Sequence, residues 1–179
     1  MSTVVISGDT SGSITLQAPA VSGTTTLTLP AATGTVMVSG NMPAFSAYLA
    51  SPQTPSNATY TKVQIDTELF DTASCFDTST YRFTPNVAGY YQIQAACRIS
   101  GTAPSGAVWA IYKNGTNVAE LNIASSPATY DNRVVSTLVS MNGTSDYVEF
   151  YCYINASSSQ TFNAGAPATY FQGFLVRLA

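Results

Sequence analysis

The 179-residue chain carries nine acidic and six basic side chains, a net charge of −3, and only 8% of its residues are charged while 45% are hydrophobic. That balance excludes a disordered chain, and six scattered bases exclude nucleic acid as a main partner, since phosphate needs concentrated Lys and Arg. No run reaches the roughly 18 apolar residues of a membrane helix, so no membrane insertion is expected, and a surface this poor in charge is one that associates.

The opening Met1-Ser2-Thr3-Val4-Val5 lacks the basic region and apolar run of a secretory signal. The chain is therefore expected to be made in a cytoplasm and to stay there or leave by lysis. Residues 1–40 hold no aromatic side chain and one charge, Asp9. Within them lies an imperfect repeat of about thirteen residues. Ser13-Ile14-Thr15-Leu16-Gln17-Ala18-Pro19-Ala20-Val21-Ser22-Gly23-Thr24 is echoed by Thr26-Leu27-Thr28-Leu29-Pro30-Ala31-Ala32-Thr33-Gly34-Thr35. Each unit is a short alternating strand, a proline stop and a glycine turn. A flexible linker has no reason to keep the period of two seen at Ile14, Leu16, Leu27, Leu29, Val36 and Val38. Two such units bury too little to stand alone, so several chains are expected to wind together into a β-stem.

From Pro43 on, strands and turns alternate. Phe45, Ala47 and Leu49 share a face, and a loop follows at 51–57. From Lys62 to Leu69 the alternation predicts Val63, Ile65, Thr67 and Leu69 inward and Lys62, Gln64, Asp66 and Glu68 outward. Residues 81–85 read as a short strand, and Gly89 to Ser100 as a long one with Tyr91, Ile93, Ala95, Cys97 and Ile99 on one face. Asn114-Gly115 is a strong hairpin signal between strands at 108–113 and 118–123. A second turn, Asn142-Gly143, separates strands at 134–141 and 147–154, and 156–168 reads as a polar loop. Cys97 and Cys152 read as small buried hydrophobes, a bridge between them left open. The terminal strand, Tyr170 to Leu178, is apolar on both faces: Phe171 and Leu175 on one, Phe174 and Val176 on the other. Such a strand is expected to meet its own core on one side and a symmetry mate on the other. About eight strands spaced in this way predict an all-β antiparallel jelly-roll sandwich over 41–179.

Two resemblances follow. The phrase running from Ser7-Gly8-Asp9-Thr10 through the repeat to Thr35 resembles the N-terminal segment of many phage tail-fibre and virion structural proteins. This implies that residues 1–40 attach to other virion proteins. The second set is Pro43-Ala44-Phe45-Ser46-Ala47, Phe76-Asp77, Tyr81-Arg82-Phe83-Thr84-Pro85, Val87-Ala88-Gly89-Tyr90-Tyr91, Lys113-Asn114-Gly115, Asp146-Tyr147-Val148 and Phe171-Gln172-Gly173-Phe174-Leu175. In that order it resembles the globular head of the first complement component, subcomponent q, a trimeric jelly roll related to tumour necrosis factor. The resemblance implies a homotrimer whose first and last strands lie near the three-fold axis, with Phe45, Phe171, Phe174, Leu175 and Val176 at the interface. It departs from that family in lacking a collagen-like stem.

Chemistry is sparse. There is no histidine, the commonest general base, and no phosphate loop. Asp66, Glu68, Asp71 and Asp77 lie close in sequence without a calcium-loop spacing, so neither catalytic nor metal or other cofactor residues are assigned. The sequons at Asn57, Asn114, Asn142 and Asn155 read as turn residues. Tyr147, Glu149, Tyr151 and Tyr153 form an outward ladder, either a packing surface or a ligand surface. The resembled fold places the chain ends together at its base, so receptor contacts are expected on the opposite loops, 51–61, 101–107 and 125–133, with Tyr130, Asp131 and Arg133 as candidates for a host-surface glycan or protein. The expected function is a trimeric, non-enzymatic virion fibre; a decoration or cement protein without a receptor is the alternative.

Overall fold

A computed structural model describes residues 3–17, 19–21, 23, 24, 26, 31, 33, 36–38, 40, 42–125 and 130–179. The chain divides into two units, Met1–Gly34 and Thr35–Ala179. In the first, β1 (Thr3–Ser7) and β2 (Ser13–Gln17) form an antiparallel hairpin with Val4 opposite Leu16 and Ile6 opposite Ile14. Gly8 N donates to Gly12 O across the turn, and Gly12 takes the left-handed φ of 78° that the turn requires. The partner of β2 is thus residues 3–7, a strand the repeat did not announce. The expected echo at Leu27 and Leu29 lies outside the described residues. Val4, Ile6, Ile14 and Leu16 share one face of the hairpin and all are exposed.

The second unit contains β3 (Ala44–Tyr48), β4 (Thr61–Lys62), β5 (Thr67–Asp71), β6 (Phe76–Asp77), β7 (Arg82–Phe83), β8 (Gly89–Gly101), β9 (Gly106–Lys113), β10 (Thr116–Ile123), β11 (Tyr130–Met141), β12 (Val148–Asn155), β13 (Gln160–Phe162) and β14 (Tyr170–Leu178). They form two antiparallel sheets. One has the order β11-β8-β14-β3-β5 with β13 also on β8; the other is β10-β9-β12-β7-β6 with β4 also on β12. The sheets face each other as a jelly roll whose core is filled from alternate positions. Tyr91, Ile93, Ala95, Cys97 and Ile99 enter it from β8, as their spacing predicts, and Trp109, Ile111, Phe150 and Ile154 enter from the facing sheet. Phe45 stacks on Phe83 with ring centroids 4.3 Å apart and on Phe76 at 5.0 Å, and meets the edge of Phe171 at 5.2 Å. Each such ring contributes roughly 2–3 kcal/mol on burial. Trp109 Nε1, buried with its ring, donates to Cys97 O.

Two expectations need correction. The run 62–69 is not one strand: β4 pairs with β12 in one sheet and β5 with β3 in the other. Val63 and Ile65 are buried as the chain crosses between them, and the alternation then restarts, leaving Leu69 exposed. The stretch 156–168 also contains β13, which places Phe162 in the core beside Ile99.

Candidate functional site

The outward face of the β11-β8-β14-β3-β5 sheet carries three cross-strand rows without a charged side chain. These are Val134–Ala96–Tyr170–Tyr48–Thr67, Ser136–Gln94–Gln172–Ser46–Phe70 and Leu138–Gln92–Phe174–Ala44. Phe174 is 52% exposed, and Val134, Leu138, Phe70 and Val176 are comparably open. At the centre Gln172 Nε2 donates to Gln94 Oε1 at 2.6 Å, and Ser46 Oγ donates to Gln172 Oε1. A depression of about 340 Å³ lies there, walled by Phe70 and Phe174.

Of the residues assigned to a subunit interface, Phe174 and Val176 lie on this open face. Phe45, Phe171 and Leu175 do not; they point into the protomer's own core and are at most 3% exposed. The cause is the strand period: positions 171 and 175 share parity with the core face of β14, so their side chains cannot reach a neighbour. The bulge after Leu175 shifts the register by one residue near the strand end.

Strand directions put Ala44, Leu178 and the Asn114 and Asn142 turns at one end of this unit. The segments 49–60, 102–105 and 156–159 gather at the other. They interlock: Ser105 N donates to Asn155 O, Ala156 N to Asn57 Oδ1, and the Thr102 and Ser158 hydroxyls meet at 2.6 Å. Residues 126–129 lie outside the described residues.

Tyr130, Asp131 and Arg133 reach this end, although not as a loop. They open β11, with Tyr130 opposite Ser100 and Asp131 opposite Ile99. Asp131 is buried and holds Arg133 through Oδ1 to Nε at 2.7 Å, while Tyr130, of opposite parity, stands exposed on the other face. The three therefore form no single contact surface.

The outer face of the other sheet bears the tyrosine ladder. Glu149 is almost fully buried there, accepting from Lys62 Nζ and Arg82 Nε, each at 2.5 Å. Burial pushes its carboxyl up, but the hydrogen bonds from the two cations more than offset that and hold it below the usual glutamate range. Arg82 also lies 4.0 Å over the Tyr147 ring. Tyr112 and Tyr151 are 4.6 Å apart, and Tyr60 packs beside Tyr153 at 5.3 Å.

Three of the carboxylates that lie close in sequence accept hydrogen bonds, Asp71 and Asp77 within local turns and Asp66 from a segment sixteen residues away. Asp66 accepts from Ala50 N, Asp71 from Ala73 N and Phe76 N, and Asp77 from Ser79 and Thr80, whose hydrogen bonds lower it to about 2. Among the described residues no three His, Cys, Asp or Glu side chains converge as a metal site would require. Cys75, Cys97 and Cys152 are free and buried. Burial and then the neighbouring Cys97 push the Cys152 thiol up, as expected of an inert core thiol.

Compared with curated proteins by sequence, the chain matches none. A profile of the C1q domain matches residues 44–176. Among solved structures, murine APRIL at pH 5.0 superposes with a TM-score of 0.59 at 7% identity, over 75% of this chain and 99% of its own. Murine APRIL at pH 8.0 gives 0.59 at 6% identity over the same shares. The globular domain of the zebrafish complement 1qA protein aligns over 76% of this chain and 99% of its own at 18% identity, with a TM-score of 0.49.

Proposed function

The chain belongs to the C1q domain family, and on that premise we propose that it is a homotrimeric, non-enzymatic virion fibre protein. Its N-terminal segment attaches to other virion proteins, and its jelly-roll head recognises a molecule on the host surface. Homotrimers are typical of this fold. The observation that carries the trimer here is the set of three uncharged cross-strand rows on the outward face of the β11-β8-β14-β3-β5 sheet, with Phe174, Val176 and Leu138 open to solvent in the single protomer and the charged Arg98 and Arg177 only beyond the ends of those rows. An apolar sheet face of this kind belongs against another protein surface. The β1–β2 hairpin supports the stem by the same logic: among the described residues it has two strands with Val4, Ile6, Ile14 and Leu16 exposed, and a hairpin of that kind is marginal in water and gains from strands of further copies. The virion assignment rests on the repeat phrase of residues 7–35. Of the three candidate contacts, Tyr130 offers an open ring, while Asp131 serves to hold Arg133.

A fragment lacking residues 1–40 tests both halves. It is expected to fold, to adsorb to host cells, and to be missing from assembled particles. A folded fragment that does not adsorb refutes the recognition role; one that is incorporated normally refutes the attachment role.

A further inference from the structure

All six basic side chains lie among the described residues, and five of them are engaged. Lys62 and Arg82 meet Glu149, Lys113 meets Asp146, Arg133 meets Asp131, and Arg177 lies over the Tyr90 ring at 5.6 Å. The sixth, Arg98, is half-buried on β8. Its guanidinium makes no hydrogen bond, ion pair or ring contact with the described residues.

The strand period decides where it points. Cys97 and Ile99 enter the core, so Arg98 and Ser100 stand on the outward face of the sheet, past the Val134–Ala96–Tyr170 row. On one side β11 sets Asn132 opposite Arg98 and Tyr130 opposite Ser100. On the other, β13 sets Thr161 opposite Ser100, and Asn163 N donates to Arg98 O at 2.8 Å, which continues that register. Two rows result, Tyr130–Ser100–Thr161 and Asn132–Arg98–Asn163, about 10 Å across the strands and about 7 Å along them. They hold one cation and no carboxylate.

A second observation comes from Asn163, whose Oδ1 is buried without a hydrogen-bond partner among the described residues. The residue as a whole is only half-buried, so turning the amide about its soft terminal torsion brings the oxygen to the surface. A guanidinium without an acceptor thus stands beside an amide oxygen without a donor, and a ligand offering both would satisfy the pair.

The surroundings narrow the ligand class. A guanidinium takes a carboxylate through two parallel hydrogen bonds. The Ser100 and Thr161 hydroxyls and the Asn132 amide make no hydrogen bond with the described residues and suit a molecule rich in hydroxyls. Tyr130 is 66% exposed, and its ring, which meets no other aromatic ring among them, suits the C–H face of a sugar. A neutral sugar would leave Arg98 unpaired, and a small inorganic anion would leave Tyr130 unused.

The geometry points to this patch as a binding site for an acidic sugar, a sialic or uronic acid residue, its carboxylate on Arg98, its hydroxyls on Asn132 and Asn163, and its C–H face on Tyr130. The inference rests on the recognition role proposed above and supplies its ligand class.

The test applies the assembled full-length protein to an array of sialylated and uronate-bearing oligosaccharides beside the same molecules with each carboxyl reduced to an alcohol. Arg98→Gln and Tyr130→Ala are run alongside, their mass in solution checked by light scattering. Binding is expected on the acidic members only, about ten-fold weaker or more in Arg98→Gln and about three- to ten-fold weaker in Tyr130→Ala. Equal binding of the reduced members, or undiminished binding in either variant, overturns the site. An Arg98→Gln protein that no longer assembles like the unmodified chain overturns it as well, because the guanidinium then serves a neighbouring subunit. Binding to no member also overturns it, and adsorption of the labelled protein to host cells then separates the two ideas. Retained adsorption leaves recognition standing with a different ligand; absent adsorption removes both.

Discussion

Replacing Glu149 with Gln removes one buried charge and keeps the side chain's shape and its place in β12. Glu149 accepts from Lys62 Nζ and Arg82 Nε at 2.5 Å and, more weakly, from Tyr151 OH at 3.4 Å. A hydrogen bond to a charged group contributes about 1.5–3 kcal/mol. The Lys62 and Arg82 side chains are 27% and 37% exposed, so both rehydrate in part, and the Gln oxygen still accepts. With that discount the expected loss is about 2 kcal/mol. At roughly 3–5 °C per kcal/mol for a domain of this size, Tm should fall by about 6–10 °C at pH 7, compared at equal protomer concentration. The pH dependence adds a sign. The folded-state pKa of Glu149 is depressed, so its stabilisation is complete above the ordinary glutamate value of about 4.3 and is lost as pH falls through the depressed one. The gap between the two proteins should therefore be flat from about pH 8 to 5 and narrow below that. Equal melting at pH 7, or a gap that widens on acidification, would refute the reasoning.

Gly143→Ala should cost about 2–4 kcal/mol by denaturant titration, since φ is +72° and the new Cβ would stand 2.3 Å from Ala88 N, a backbone atom. Gly115→Ala, at φ +79° in open space, should cost about 1 kcal/mol, and equal losses at the two sites would contradict the steric account. Phe45→Ala should destabilise the protomer by about 3–5 kcal/mol. Phe174→Ala should leave protomer unfolding little changed and instead raise the concentration needed for assembly; the reverse pattern would restore Phe45 to the interface.

Much of the sandwich was legible because alternation survives wherever one face is buried for its whole length. Tyr91 through Ile99 and the Asn114-Gly115 hairpin were read from spacing and turn chemistry alone. Asn114 takes φ +51° and Gly115 +79°, as such a turn demands. Alternation gives two faces and does not say which is inward. The terminal strand was therefore seen to be apolar on both sides, while Phe171 and Leu175 were assigned to a neighbour when they belong to the core. It also fails where a strand leaves one sheet for the other, as between Ile65 and Thr67. Glu149 was read only as a member of an outward ladder, because alternation shows which face a side chain takes and not which cations cover it. Only the fold brings Lys62 and Arg82 over it from β4 and β7. The patch around Arg98 left little trace in the sequence, since only the pairing of β8 with β11 and β13 brings its residues together.

The trimer bears most of the account, and its mass in solution tests it most directly. Light scattering on the dilute full-length protein should report three protomers, and Phe174→Asp, which places a charge on the apolar sheet face, should shift the mass toward one. A wild-type protein that is folded and monomeric at the same dilution would contradict the account at its base.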